Sequence, residues 1–209
     1  APTNMRCVYV DLDTIVLGDF GKVAAELKGP DDILMFGPAL FGFNGVKRQL
    51  RRMSGRRRYA VGNSSIVAFT AAAGRRLADR YVELSADPSV RQQRHMKIDD
   101  AFISWFAADH LRPIPKTIAV MFRREFLSRV PGYSKIKGRF PWVRRRRQNL
   151  VAVTFNGVEY TPSALLKLSQ GDPIPDRKGR TGYWSEKDMG GLQQKIASYC
   201  RDMVEGTDT

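Results

Sequence analysis

Apolar positions follow two spacings along the chain, near two residues in some stretches and near 3.6 in others, the periods of strands and helices. Val8, Tyr9 and Val10 favour a strand, and the run from Arg6 to Val10 predicts a buried one that leads into Asp11, Asp13 and Thr14. Asp19 to Leu27 predicts a short helix with Val23, Ala24 and Leu27 on one face, and Ile33 to Phe36 a second strand. The Gly- and Phe-rich stretch from Gly37 to Gly45 reads as a loop. Val46, Leu50 and Met53 then stand at i, i+4 and i+7, the stripe of a helix. Ile66 to Phe69 predicts a strand. Ala71 to Glu83 predicts a helix with Leu77 and Tyr81 four apart, and Asp99 to His110 another with Phe102, Ile103 and Phe106 on one face. Ile118 to Met121 predicts a strand, and Pro131 to Arg147 a basic loop punctuated by Pro and Gly. Val151 to Phe155 predicts a strand closed by the turn dipeptide Asn156-Gly157. Thr161-Pro162 reads as a cap followed by Pro in the first turn of a short helix through Leu168. Gly171 to Gly182 reads as a polar loop. Ser185 and Asp188 suggest a capping box before a final helix that turns Leu192, Ile196, Tyr199 and Met203 inward. The alternation of strands and helices predicts an α/β fold.

Composition narrows what such a fold does. With 43% hydrophobic residues the 209-residue chain has enough apolar surface for a core, which excludes disorder throughout. No run approaches the roughly 18 to 20 apolar residues that span a bilayer. Cys7 and Cys200 are too few for a disulfide scaffold or a cysteine-rich zinc site. Cys7 is expected to act as a small buried hydrophobe. The chain begins with Ala and no apolar signal core follows, so an intracellular setting, cytoplasmic or organellar, is expected.

The net charge of +14 calls for an anionic partner. It gathers in two tracts. The first holds Lys47, Arg48, Arg51, Arg52, Arg56, Arg57 and Arg58. The second is continuous, Arg144, Arg145, Arg146 and Arg147. Guanidinium groups match phosphate geometry, and Tyr59, Phe140 and Trp142 flank the tracts. An anionic acceptor, an anionic membrane surface or RNA would each fit.

The densest chemistry lies in Tyr9-Val10-Asp11-Leu12-Asp13-Thr14-Ile15-Val16-Leu17-Gly18-Asp19. Two carboxylates at the end of a strand can hold Mn²⁺ or Mg²⁺ against a diphosphate and neutralise it as it leaves. Strand alternation predicts that Asp11 and Asp13 point to the same side.

This run resembles the DxD region of GT-A-fold glycosyltransferases, above all the glycogenin-like group and related bacterial and phage enzymes. Three later segments resemble that family in the same order. Asn63-Ser64-Ser65-Ile66-Val67-Ala68-Phe69 is similar to its N-S-G segment and the strand that follows. Asp99-Asp100-Ala101-Phe102 is similar to the acidic segment at a helix start. Val153-Thr154-Phe155-Asn156-Gly157 is similar to the F-H-G segment near the C-terminus. The resemblance implies a GT-A-like mixed sheet with flanking helices and transfer of a sugar from a nucleotide-sugar donor. It implies Asp13 and Asp11 on a Mn²⁺ or Mg²⁺ ion, with Asn156 where the family has its ligand His. Asp11, Asn63, Ser64 and Ser65 would line the donor, and Asp99 and Asp100 would flank the reacting centre. One domain over 1–209 is expected: a DxD-containing core over 1–130, a basic loop over 131–150, and a C-terminal strand and helices over 151–209. The family carries roughly 80 to 100 residues of nucleotide-binding units ahead of DxD, where this chain has ten. Those N-terminal units are therefore expected to be absent.

Two other readings stay open on the residues alone. Haloacid-dehalogenase-like phosphatases also begin with a strand ending in D-x-D. Asp11 would then be the nucleophile and Asp13 the acid/base, with Ile66 to Thr70 as the second motif and Lys97 with Asp99-Asp100 as the later one. The third reading is a non-catalytic basic subunit that binds RNA or another polyanion through the Arg tracts. Asp99 could equally be a helix N-cap, and His110 a partner of a helix C-terminus.

Overall fold

The computed structural model describes residues 4–37, 61–127, 133–157, 164, 166–177, 181–186 and 190–205. The chain is mixed α/β with mixed sheets and divides into two compact units. The first comprises residues 1–11 and 20–114, the second 12–19 and 115–209.

The first unit is built on a four-stranded sheet of order β1-β4-β3-β5, with β1 Arg6–Val10, β3 Ile33–Phe36, β4 Asn63–Thr70 and β5 Leu111–Pro113. β4 is antiparallel to both β1 and β3, whereas β5 runs parallel to β3. Its helices are α1 Gly21–Ala25, α2 Ala71–Ser85, α3 Pro88–Arg91 and α4 Asp99–Phe106. Ile33, Met35, Val67, Ala73, Ala107 and Leu111 form the buried cluster beside the sheet, with Phe69, Ile103 and Phe106 against it. Thr70 ends β4 and caps α2 by accepting the Ala73 N–H at 3.1 Å. One hydroxyl thus stops the strand and starts the helix.

The second unit holds a three-stranded sheet of order β2-β7-β6, with β2 Thr14–Val16, β6 Ala119–Met121 and β7 Ala152–Thr154. β2 pairs antiparallel and β6 parallel with β7. β8 Pro173–Pro175 and β9 Thr181–Tyr183 pair antiparallel in a separate two-stranded sheet. The helices are α5 Phe122–Glu125, α6 Tyr133–Arg139, α7 Pro141–Gln148 and α8 Leu192–Glu205. Phe122, Phe155 and Trp184 stack at the centre of the core, which Ile15, Val153, Ile174, Leu192 and Ile196 complete.

Several expectations change. β1 lies at a sheet edge and is only half-buried, not a buried strand, because β4 covers it on one side alone. The expected basic loop over 131–147 is helical in Tyr133–Arg139 and Pro141–Gln148. Pro141 sits in the first turn of α7, where its missing N–H costs nothing. The expected polar loop over 171–182 contains β8 and the start of β9. Glu186 accepts the N–H groups of Gln193 at 3.0 Å and Gln194 at 3.1 Å in the first turn of the last helix. The helix expected over 46–53, the cap at Thr161-Pro162 and Asp188 lie outside the described residues.

Candidate functional site

In the first unit the Asn63–Ser65 segment meets the start of α4. The pairing of β3 with β4 shifts between Met35, opposite Val67, and Phe36, opposite Asn63. That irregularity takes Ser64 out of the ladder, and bulges of this kind commonly re-aim groups near sites. The Ser64 N–H then donates to the Asp100 carboxylate at 2.5 Å, and its hydroxyl to Asp99 at 2.7 Å. Asn63 accepts the Ser65 N–H at 3.3 Å, and the Ser65 carbonyl accepts the Asp11 N–H at 2.9 Å. The Ser65 hydroxyl is buried with no hydrogen-bond partner.

Gly62, just before the segment, leaves no room for a side chain. A Cβ there would come within 2.8 Å of the Phe36 carbonyl oxygen and 2.7 Å of the Met35 sulfur. Its N–H donates to the Ser104 hydroxyl at 2.9 Å, and Ser104 donates in turn to the Asp100 carbonyl at 2.6 Å. Asp99 is not the N-cap of α4, a position held by Ile98 without any side-chain bond. Both acids lie in the first turn, where negative charge complements the helix dipole.

In the second unit Asp13 is tied to the other end of the sequence. Its side chain accepts the Thr154 hydroxyl at 2.9 Å, and its carbonyl accepts the Phe155 N–H at 2.8 Å. Thr154 is fully buried and Asp13 half-buried, so one side of this contact is covered. Asn156 and Gly157 form the adjoining turn, with Gly157 at φ +76°. A Cβ on Gly157 would stand 3.1 Å from Nη1 of Arg123, so the guanidinium packs against that turn. The Nε of Arg123 is buried and has no partner. Sequence reading missed Arg123, because nothing in Phe122-Arg123-Arg124-Glu125 marks one Arg above the other.

Strand alternation does not relate Asp11 to Asp13, because β1 ends at Val10 and β2 begins a different sheet at Thr14. The phosphatase reading does not find its second motif at Asp11. It needs the end of the strand at Thr70 beside Asp11, but β1 and β4 are antiparallel and Thr70 pairs with Arg6. His110 is not at a helix end either, since α4 stops at Phe106. Cys7 is half-buried.

The Arg144–Arg147 tract does not act as one patch. Arg147 is 2% exposed and bonds the Glu125 carboxylate through Nε at 2.9 Å and the Glu125 carbonyl at 3.2 Å. Arg146 bonds the same carboxylate, and Lys137 reaches it at 2.7 Å. Burial works against the charge on Glu125, but the hydrogen bonds and charges of Lys137 and Arg147 outweigh it. They hold the carboxyl below its ordinary value. Burial draws the Lys137 ammonium down in spite of Glu125. A buried acid needs counter-charge, and that need consumes half of the tract. Arg145 is exposed and Arg144 donates to the Arg139 carbonyl at 3.1 Å. The tract from Lys47 to Arg58 lies outside the described residues.

No known family profile matches the chain, and no curated protein does. Among solved structures, it is similar to the apo structure of the bifunctional glycosyltransferase WbbM, at 12% identity and a TM-score of 0.48. That overlap covers 92% of this chain and 32% of WbbM, so the chain spans about a third of that protein's length. At this level the similarity assigns no role to any residue. No helix among the described residues is long and apolar enough to cross a membrane.

Proposed function

We propose that the chain is a GT-A-like glycosyltransferase, or the DxD-bearing part of one, acting on a nucleotide-sugar donor. The observation that carries this reading is that its four motif-like segments meet in pairs. The first bonds the fourth through Asp13 and Thr154, 141 residues apart, and the second bonds the third through Ser64 and both Asp99 and Asp100.

Asp11, Asp13 and Asn156 would each offer oxygen donors of the kind that hard divalent ions such as Mn²⁺ and Mg²⁺ take. Among the described residues there is no cluster of three or more His, Cys, Asp or Glu side chains, so a metal here depends on that mixed set. A bound ion would offset charge on the departing diphosphate. Arg123 would add a fixed guanidinium beside the Asn156-Gly157 turn, where the family's His is absent. Asn63, Ser64 and Ser65 would line the sugar. Asp99 and Asp100, held by Ser64, would present negative charge to the oxocarbenium character that develops as the bond from the sugar to the diphosphate breaks.

The test is thermal. Mn²⁺ with a nucleoside diphosphate should raise the Tm, and Asp13→Ala should remove that rise while leaving the unliganded protein folded. No shift with any nucleoside diphosphate would refute the reading.

A further inference from the structure

We infer that the α6–α7 hairpin is a docking surface for an anionic lipid bilayer. Three large apolar side chains stand in solvent at this hairpin: Ile136 at 55% exposure, Phe140 at 43% and Trp142 at 67%. The two rings stack on each other at 4.6 Å, which fixes them as one projecting unit instead of two loose side chains. Ile136 lies on α6, and Phe140 is the extended residue that joins it to α7. Apolar side chains gathered into one exposed patch with a polar rim mark an interaction surface.

Charge selects the cover. Residues 133–148 contain seven basic and no acidic residues. Glu125 takes Lys137, Arg146 and Arg147. Arg139 and Arg145 remain exposed and Arg144 half-exposed beside the apolar group. An aromatic and aliphatic tip ringed by guanidinium groups matches the headgroup layer of an anionic bilayer. There Trp and Phe enter the acyl boundary and the cations are drawn to the anionic surface. Single-stranded nucleic acid fits less well, because each ring already has one face occupied by the other and Ile136 offers no π-face.

The full chain should co-sediment with vesicles of phosphatidylcholine and phosphatidylglycerol in equal parts, and not with phosphatidylcholine alone. Ile136→Ser, Phe140→Ser and Trp142→Ser together should weaken vesicle binding about tenfold or more with an unchanged Tm. Arg139→Gln with Arg145→Gln should lower binding and flatten its dependence on salt. Equal binding to both vesicles, or full binding by the triple variant, would overturn the inference. So would Trp142-dependent binding to polyuridylate without vesicle binding.

Discussion

The Ser64 hydroxyl donates to the Asp99 carboxylate at 2.7 Å across 35 residues of chain. With the Ser64 N–H on Asp100, one residue holds both acids at the start of α4. Asp100→Ala removes the acceptor of a part-buried N–H and should cost about 1.5 to 3 kcal/mol by urea unfolding. Ser64→Ala should cost about 1 kcal/mol. Ser65→Ala removes a buried hydroxyl that has no partner, so the unliganded protein should be as stable or more so. If Ser65 contacts donor, the same change should weaken nucleotide-sugar binding. Opposite signs for stability and binding would separate a donor contact from a packing role.

Glu125 should act as an electrostatic keystone of the second unit. Glu125→Gln keeps the shape and removes the charge that Lys137, Arg146 and Arg147 share. It should cost about 3 kcal/mol near neutral pH, since it leaves partly buried cations unmatched. The sign in acid follows from the lowered carboxyl. Its stabilisation is complete above the ordinary value of 4.5 and fades as pH falls through the lower value of the folded state. Wild type and Glu125→Gln should therefore converge in stability as pH drops below 4.5 in a denaturation series. A constant gap between them would show that Glu125 acts through packing alone.

Long-range pairing explains what was legible in the sequence. Ile33–Phe36, the strand containing Ile66 to Phe69, and the helix from Ala71 are visible because local periodicity and burial agree there. β2 at Thr14–Val16 was not, because three residues carry no period and only pairing with β7 makes them a strand. Basic composition concealed α7, whose buried Val143 and Arg147 stand four apart. An Arg reads as a surface residue until the buried acid that claims it is known, and Glu125 lies 22 residues away. The candidate acids and Asn63 to Ser65 were legible as motifs, whereas their mutual bonds and Arg123 were not. Sequence alone does not record which side chains meet.

Gly157 and Arg123 offer a second handle on the proposed site. Gly157 has φ +76°, and a Cβ there would press on the Arg123 guanidinium. Gly157→Ala should cost about 1 to 2 kcal/mol from the left-handed backbone and should displace Arg123. Arg123→Ala removes a buried Nε that has no partner, so it should leave the Tm nearly unchanged yet weaken nucleoside diphosphate binding by roughly tenfold. Equal affinity in wild type and Arg123→Ala, measured by calorimetry, would remove Arg123 from the site.

Thr154 tests whether Asp13 must be held in place. Its hydroxyl donates to Asp13 and accepts the Asn156 N–H at 3.4 Å, so one buried group steadies both sides of the motif. Thr154→Val preserves the shape and removes that hydroxyl. It should destabilise the protein by about 1 kcal/mol and also diminish the Tm rise given by Mn²⁺ with a nucleoside diphosphate. Thr154→Ser keeps the hydroxyl and should restore the rise, though loss of a buried methyl costs about 1 kcal/mol of stability. Stability and ligand response therefore move apart in the two variants. If both lose the ligand response equally, packing at Thr154 is what matters and its bond to Asp13 has no part in binding.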